Sequence, residues 1–368
     1  MFFLRTTRRE FLKKTAVSTA AAVATAMEFG PPGGSARADT FTSRVFMTKG
    51  ESRADNAFRL MQMFKRQIAE AIGNKHVILK PNVVQEYFEL ADTHVEWLEG
   101  ILEFLKSIGI TDVTIAESNP RNTMNAFEKQ GYFRLRDKYP VKLVELNQEG
   151  ADVVQVWQDD TTLRPIRVSR LLRNPNNFII SCPRIKTHNN AVVTIGLKNV
   201  VMSAPMVDPG FKFGQPGSSK FNKTPGMHGS PPLGSTTNAN QYLNDNIYRL
   251  VKFYGIRPHL SVIDGYQGME GNGPSSGTPA TPQKLGIASF DPIAADRVCV
   301  TLMGHDTYQL EDKGPYPAYL NYCGQAGLGE WDLNKIEVVG EQIAGNVVNF
   351  TPNSGISGML GLRVTPKE

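Results

Sequence analysis

Cysteine is scarce in this sequence, and its three cysteines are scattered along the chain. Cys182, Cys299 and Cys323 form no C-x-x-C pair, the usual beginning of a zinc or iron–sulfur motif. Because an iron–sulfur cluster takes four thiolates, no such cluster is expected in the monomer. Cys182 and Cys299 lie in apolar stretches and are predicted to be core residues. The odd number leaves at least one thiol unpaired, and the sequence leaves open whether Cys323 pairs with either of the others.

Several well-known catalytic motifs are also missing. The chain has no G-x-x-x-x-G-K-[ST] loop, no G-x-S-x-G elbow, no H-E-x-x-H pair and no G-x-G-x-x-G after a strand. Each of these motifs serves a particular chemistry, from phosphate binding to zinc hydrolysis. Their absence argues against a P-loop nucleotidase, a serine hydrolase, a zincin and a standard Rossmann dehydrogenase.

An excess of positive charge is missing from most of the chain. The whole sequence has 40 basic and 35 acidic residues, but residues 39–368 carry 34 basic and 33 acidic side chains. A nucleic-acid-binding protein would keep a basic stripe in its folded part, so no nucleic-acid partner is expected. No segment after residue 38 is long and apolar enough to predict a stable membrane span.

The amino terminus resembles a twin-arginine export signal. Arg8 and Arg9 stand in the run TTRREFL, and an apolar stretch follows at residues 15–27. As a helix this stretch would span about 20 Å, too short for a bilayer core of roughly 30 Å. The small residues around Ala38 predict cleavage before Asp39. Residues 1–38 are therefore predicted to bind the twin-arginine export machinery and to direct the protein to the periplasm or otherwise out of the cytoplasm. The alternative is an uncleaved anchor or a cytoplasmic amphipathic tail.

The stretch at residues 179–202 carries an unusual group of polar residues. Residues 178–181 read as a buried strand, which Pro183 is expected to end because proline cannot donate to a ladder. Arg184, Lys186 and His188 then alternate with other residues, so extended backbone would place all three on one face. Residues 191–201 are mostly apolar except for Lys198 and Asn199. This pattern favours a site for an anionic or metal-bearing ligand, although a strand-end turn with solvated basic side chains would also produce it.

Strand-like and helix-like segments alternate along residues 39–368, which are predicted to form a single large α/β domain. Helices are predicted at residues 54–72 and 93–108, the second beginning near Asp92 or Thr93. This rhythm predicts a mostly parallel sheet with helices on both faces and a ligand cleft at the carboxyl ends of the strands. Polar residues that follow predicted strands are Lys80, Asn82, Glu117, Ser118, Lys186, His188, Asp264 and Asp291.

Two long loops are predicted near this cleft. Residues 203–237 are rich in Gly, Pro, Ser, Lys and Asn and include His228. Structureless loops of this length are uncommon unless they are lids or disordered segments, so this insertion is predicted to close over bound ligand. Residues 265–283 contain several glycines around Glu270. The turn at residues 271–273 is expected to let the backbone approach a ligand or another strand closely.

The order of short motifs resembles a known family. They are KPN at residues 80–82, ES at 117–118, PRIKTH at 183–188, LKN at 197–199, DG at 264–265, EGNGP at 270–274 and IASFDPIAAD at 287–296. Together they resemble the family described as domain of unknown function 362. Many of its members carry ferredoxin-type cysteine clusters and are labelled iron–sulfur or redox proteins. This chain has no such cluster, so the resemblance does not imply electron transfer through iron–sulfur centres.

The residue types allow specific candidate roles. Lys186, His188 and Lys198 are the catalytic candidates, because a buried lysine can act as a base and a histidine can relay protons. A divalent metal is considered at His188, Asp264 and Glu270, with His228 as a further ligand for zinc or iron. Asp291 precedes a proline and is read as a helix N-cap. The ligand-binding candidates are Lys80, Asn82, Glu117, Ser118, Asn199 and Asp264.

Two classes of function remain open on the sequence alone. One is an exported enzyme, including a redox enzyme, that uses a metal or an anionic cofactor in the strand-end cleft. The other is a non-catalytic periplasmic module that binds an anionic small molecule. A coordinated metal, or a lysine with a strongly lowered pKa, would favour the enzyme.

Overall fold

One large sheet lies at the centre of this computed structural model. The structure describes residues 41–119, 121–207, 227–229, 239–305, 317–359 and 362–368. Its strands are β1 (Ser43–Lys49), β2 (His76–Pro81), β3 (Val113–Glu117), β4 (Val141–Glu145), β5 (Ala151–Trp157), β6 (Leu163–Ser169), β7 (Asn177–Cys182), β8 (Arg184–His188), β9 (Val192–Thr194), β10 (Leu260–Glu270), β11 (Thr278–Pro279), β12 (Leu285–Ser289) and β13 (Ile336–Gly340). Its α-helices are α1 (Arg53–Gln62), α2 (Lys65–Ile72), α3 (Val95–Ser107), α4 (Thr123–Lys129), α5 (Gly196–Val201), α6 (Ala239–Tyr254), α7 (Pro292–Leu302) and α8 (Ala318–Gln325).

The strand order of the large sheet is β13-β1-β12-β10-β7-β2-β3-β4. Strand β12 is antiparallel to both of its neighbours, and every other neighbouring pair in this order is parallel. Strands β8, β9 and β11 extend the sheet around β10, while β5 and β6 form a separate antiparallel pair. The predicted α/β fold with a mostly parallel sheet is therefore confirmed.

Both faces of the sheet are buried against helices, as predicted. In β2, Val77 and Leu79 belong to one hydrophobic cluster and Ile78 belongs to the other, as expected when successive side chains point to opposite faces. The first cluster includes residues of α1, α2 and α3, and the second includes residues of α5, α6 and α7. Strands buried on both faces need continuous apolar runs, which is why β2 and β7 have few polar residues before their ends.

The predicted helix at residues 54–72 is two helices rather than one. α1 ends at Gln62 and α2 begins at Lys65, with Phe64 between them in a non-helical conformation (φ −134°, ψ 34°). This break lets the Phe64 ring stack on Phe46, with ring centroids 4.1 Å apart, and meet the edge of Phe290. Buried aromatic packing therefore overrides the continuous helical pattern of the sequence.

Strand β7 ends at Cys182, directly before Pro183, which confirms the prediction that Pro183 ends this strand. Pro183 interrupts the hydrogen-bond ladder, but the chain continues in extended conformation as β8, which pairs with β10 and β9. The Pro183 carbonyl accepts a hydrogen bond from the Asp264 backbone N–H at 2.8 Å. The glycine-rich segment after Asp264 is likewise partly strand, because β10 continues to Glu270.

Residues Phe41–Glu368 form one compact unit. Cys182, Cys299 and Cys323 are all buried within it as free thiols, so Cys323 pairs with neither of the others. Within the described residues, no helix has the length and apolar character needed to cross a membrane. Arg8, Arg9, Ala38 and Asp39, which carry the export and cleavage predictions, lie outside the described residues.

Candidate functional site

Strand ends and one short helix gather the candidate residues at one edge of the sheet. Arg184 and Lys186 on β8 are buried and His188 is half-buried. Helix α5 contributes Lys198 and Asn199, both buried. Because β2, β3 and β10 run in the same direction, their carboxyl ends lie at this edge as well.

The first turn of α5 is fixed by a carboxylate from α7. Asp296 accepts hydrogen bonds from the Gly196 and Leu197 backbone N–H groups at 2.8 and 2.9 Å. A methyl group on Gly196 would come within 2.5 Å of the Ser261 hydroxyl, so the helix start lies tightly against β10. These contacts set the position of the helix that carries Lys198 and Asn199.

Asp291 lies at the opposite edge, because β12 runs against its neighbours. Its side chain accepts hydrogen bonds from the Ile293 and Ala294 backbone N–H groups and so caps α7. This confirms the N-cap interpretation and removes Asp291 from the group of strand-end residues that share the cleft.

Lys80 is fully buried at the end of β2, and each of its donors has a partner. Its ammonium group lies 2.7 Å from Glu117 Oε2 and 3.2 Å from Asn199 Oδ1, and it also donates to the Pro81 carbonyl. Burial lowers the pKa of Lys80, and the Glu117 carboxylate opposes that shift. Since an ammonium group has three N–H donors, these partners satisfy it within the protein.

Glu117, at the end of β3, is equally enclosed by donors. Besides Lys80, its carboxylate accepts hydrogen bonds from the Val83 N–H at 2.8 Å, the Ser118 N–H at 2.7 Å and the Ser203 hydroxyl at 2.8 Å. The Ser118 hydroxyl in turn donates to the Ser203 carbonyl at 2.7 Å. This network therefore joins the ends of β2 and β3 to the segment after α5.

Asn82 differs from its neighbours in this network. Its side-chain amide donates to Asn199 Oδ1 at 3.1 Å, and Asn199 Nδ2 donates to the Lys80 carbonyl at 2.8 Å. Asn82 Oδ1, however, is buried without a hydrogen-bond partner. Buried acceptors are normally satisfied, so Asn82 retains an acceptor that a ligand could use.

Lys186 and Asp92 form a buried acid–base pair. The Lys186 ammonium donates to the Ala91 carbonyl at 2.5 Å and to the Pro274 carbonyl at 3.1 Å. Burial lowers the pKa of Lys186 to about 7, opposed by the Asp92 carboxylate. Burial likewise raises the pKa of Asp92 to about 7, opposed by Lys186. Lys186 and Asp92 thus act on each other electrostatically, and the pKa of each lies near 7.

Asp92 was not among the predicted site residues; the sequence placed it only near the start of a predicted helix, where an N-cap residue stands. The structure gives that role to His94, whose Nδ1 accepts from the Glu96 N–H at 3.2 Å. Asp92 instead points inward, and its Oδ1 accepts from the Val84 and Gln85 N–H groups at 2.7 and 3.2 Å. Buried main-chain donors, which the sequence does not display, decide its orientation.

His188, His228 and Lys198 form a second group beside Lys186. The Asn190 backbone N–H donates to His188 Nδ1 at 3.0 Å, and the Asn190 side-chain amide lies 3.4 Å from His228 Nδ1. A backbone N–H can only donate, so the ring proton of neutral His188 is on Nε2. Burial and then Lys198 hold the pKa of His188 well below its usual range and lower that of His228 to about 4.

This second group suits an anion better than a metal ion. Both imidazoles are neutral near pH 7, and the buried Lys198 ammonium, which is 3.5 Å from the Thr194 hydroxyl, provides the positive charge. A cation would be repelled by that ammonium. An anion would find imidazole N–H donors and an ammonium group together.

The predicted metal ligands are not brought together. Asp264 pairs with Arg53 at 3.2 Å and accepts from the Tyr266 N–H, whereas Glu270 accepts from the Thr351 N–H at 2.8 Å. His188 belongs to the group around Lys198. Among the residues that the structure describes, no three His, Cys, Asp or Glu side chains are grouped closely enough to hold a metal ion.

The glycine-rich turn after β10 approaches another strand, one of the two alternatives predicted for it. A methyl group on Gly273 would lie 2.0 Å from the Thr187 carbonyl oxygen, and the Thr187 hydroxyl donates to the Gly271 carbonyl at 2.9 Å. This close packing against β8 places the Pro274 carbonyl within hydrogen-bonding distance of Lys186. Of the predicted lid at residues 203–237, only 203–207 and 227–229 are described, and its closure remains a prediction.

Comparison with known proteins identifies the family. The family described as domain of unknown function 362 matches residues 77–301, and the chain belongs to it. No curated protein matches the sequence.

Two solved structures are similar over part of the chain. One, a structural-genomics target from Thermotoga maritima, is 14% identical with a TM-score of 0.39, over 66% of this chain and 57% of its own. The other, the lactate racemase apoprotein from Thermoanaerobacterium thermosaccharolyticum, is 12% identical with a TM-score of 0.35, over 64% of this chain and 52% of its own. The chain thus spans little more than half the length of each, and the likeness is too distant to bear on function.

Proposed function

We propose that the protein is an exported enzyme that moves a proton to or from a small anionic substrate, with Lys186 and Asp92 as its acid–base pair. The observation that carries this proposal is the pair itself. Burial brings the pKa of Lys186 down to about 7 and that of Asp92 up to about 7. Groups with such matched values are suited to general acid–base catalysis at neutral pH.

The charges around the pair support an anionic substrate. Lys198 and Arg184 are buried close by, and the neutral imidazoles of His188 and His228 add N–H donors. In a low-dielectric cleft these groups would attract and orient a carboxylate or phosphate. Lys186 would then accept a proton from the substrate and return it, while Asp92 stabilises the ammonium form.

Export by the twin-arginine route is the second part of the proposal. It is supported by Arg8 and Arg9 in the TTRREFL run, the short apolar stretch and the small residues before Asp39. A folded protein is the usual cargo of this route, and the interlocked strand-end network requires the chain to be folded before the site exists.

A non-catalytic module that binds an anion is the second candidate. It is favoured by the hydrogen bonds from Lys186 to the Ala91 and Pro274 carbonyls, which stabilise the charged ammonium form. A lysine held permanently as a cation would bind an anion without exchanging a proton.

Proton exchange with solvent separates the two candidates. The protein is incubated in D₂O with a panel of 2-oxo, 2-hydroxy and 2-amino carboxylates, and deuterium uptake next to the carboxylate is followed by ¹H NMR. Uptake that disappears in Lys186→Met supports the enzyme. The double variant Lys186→Met/Asp92→Asn, which leaves no unpaired buried carboxylate, controls for misfolding. Binding of panel compounds without deuterium uptake in the wild type would favour the binding module.

A further inference from the structure

Arg184 is a buried cation whose hydrogen-bonding capacity is largely unused. Arg184 is only 2% exposed, yet its Nε and Nη2 atoms have no hydrogen-bond partner. The nearest carboxylate, Glu89 Oε1, lies 3.7 Å from Nη2, which is beyond hydrogen-bonding distance. Burying an arginine without hydrogen-bond partners costs free energy, and an anionic ligand would offset that cost.

The two unused groups lie along the same edge of the planar guanidinium group. Nε–H and Nη2–H point in nearly the same direction and form a fork that matches two oxygens of one carboxylate or phosphate. Bidentate pairing of this kind is shorter and stronger than a single hydrogen bond between neutral groups.

The acidic groups around Arg184 are engaged elsewhere or exposed. Asp264 pairs with Arg53 at 3.2 Å, and Asp92 accepts from main-chain N–H groups and from Gln130 Nε2 at 2.8 Å. Glu89 is 63% exposed. Asp264, Glu89 and Asp92 attract Arg184 electrostatically and Arg53 repels it, but none of these carboxylates hydrogen-bonds to Nε or Nη2.

We propose that Arg184 binds a carboxylate or phosphate group of the ligand bidentately, and that the site accepts a ligand with two anionic groups. This inference rests on the proposed anionic substrate. The first group lies on Arg184, and the second lies on Lys198, His188 and His228. Residues 184 and 188 are about 13 Å apart along β8, so a ligand of the size of succinate or pyrophosphate reaches both groups only where the long Arg184 and Lys198 side chains converge.

Glu89 competes with the ligand for the same fork. Its exposed carboxylate is close enough to attract Arg184 electrostatically but does not hydrogen-bond to it. When a ligand carboxylate or phosphate replaces Glu89 at Arg184, the Glu89 carboxylate keeps a partner, because its Oε1 lies 3.1 Å from His94 Nε2.

Calorimetric titration with simple anions tests the assignment. Succinate and pyrophosphate serve as probes with two anionic groups, and acetate and inorganic phosphate as probes with one. Each two-group probe should bind the wild type at least tenfold more tightly than its one-group counterpart. Arg184→Lys keeps the charge but loses the fork, so it should weaken succinate and pyrophosphate binding roughly ten- to a hundredfold and weaken acetate and phosphate binding less, because a probe with one anionic group can still bind at Lys198. Glu89→Gln should strengthen binding of the two-group probes.

Other outcomes would overturn the assignment. Unchanged succinate and pyrophosphate affinity in a folded Arg184→Lys variant removes Arg184 from the site, and weaker binding in Glu89→Gln makes Glu89 the structural partner of Arg184. If Arg184→Lys does not fold, the Arg184 Nε resonance of the wild type is followed by NMR during the pyrophosphate titration. An unperturbed resonance would likewise remove Arg184 from the site.

The comparison with Lys198→Met separates this inference from the proposed function. If Lys198→Met loses anion binding and Arg184→Lys does not, the anionic substrate stands and the role of Arg184 fails. If no probe binds the wild type, both fail.

Discussion

Lys80 and Lys186 are fully buried lysines on the same sheet, but their partners give them different roles. Lys80 has three acceptors, and one of them is the Glu117 carboxylate at 2.7 Å. Lys186 has two carbonyl acceptors and an acid, Asp92, whose own pKa is raised to about 7. Sequence alone makes both lysines candidate site residues. Only their hydrogen-bond acceptors distinguish the structural role of Lys80 from the proposed acid–base role of Lys186.

Replacing Lys80 by methionine should reduce stability rather than ligand binding. The change leaves the Glu117 carboxylate buried and unpaired, which costs about 3–5 kcal/mol of the free energy of unfolding. Urea denaturation measures this loss. The double variant Lys80→Met/Glu117→Gln removes the stranded charge and should recover part of it. Wild-type stability together with lost anion binding in Lys80→Met would instead make Lys80 a ligand residue.

The Lys186–Asp92 pair predicts that anion binding weakens as the pH rises through about 7. Below that pH both groups are protonated and the pair carries a net positive charge, whereas above it the pair carries a net negative charge. Titration with sulfate, whose own charge is constant between pH 6 and 9, reports the change. Other charged groups that act on Lys186 are Arg184, Glu117 and Lys80.

Asp92→Asn provides the matched variant for this pH dependence. It removes the carboxylate that raises the pKa of Lys186, so the midpoint of the affinity decrease should move below that of the wild type. A flat sulfate affinity between pH 6 and 9 in the wild type would contradict the assignment of this pair.

At the scale of elements, the sheet could be predicted because each strand has its own apolar run followed by polar residues. Strand direction could not be predicted in the same way. The five-residue strand β12 gives no sign in its sequence that it runs against β10 and β1, so Asp291 was grouped with strand ends at the opposite edge. The break at Phe64 and the inward turn of Asp92 likewise depend on partners distant in sequence.

The glycine-rich turn after β10 should be sensitive to a single methyl group. In Gly273→Ala, the new Cβ would lie 2.0 Å from the Thr187 carbonyl oxygen, so the turn must move away from β8 and withdraw the Pro274 carbonyl from Lys186. Overpacking of this kind costs about 1–3 kcal/mol, and sulfate affinity should change as well.

Gly150→Ala is the control for this variant. Its nearest contact would be the Arg170 side chain at 3.3 Å, which can move. Thermal unfolding and sulfate titration compare the two variants. Gly273→Ala behaving like Gly150→Ala would show that the turn does not depend on its contact with β8.

At the scale of the whole molecule, charge is balanced overall and concentrated locally. Residues 39–368 contain 34 basic and 33 acidic side chains, so no long-range field would draw anions to the protein at physiological salt. Attraction must come from the few cations buried at one sheet edge. The sequence could predict this group through the spacing of Arg184, Lys186 and His188, but not which of its members keep free donors.

The two amino-terminal arginines are expected to decide the export route. Arg8 and Arg9 stand before an apolar stretch that is too short to span a bilayer as a helix, and a twin-arginine route requires the arginine pair itself. Changing both to lysine preserves the charge of the segment, so a route that reads only charge and hydropathy would be unaffected. The twin-arginine route should instead leave uncleaved precursor in the cytoplasm. Cell fractionation with immunoblotting measures the distribution, and Lys13→Arg/Lys14→Arg, which also exchanges two basic residues, is the control. Export of the Arg8→Lys/Arg9→Lys variant at the normal rate would indicate a general secretion route.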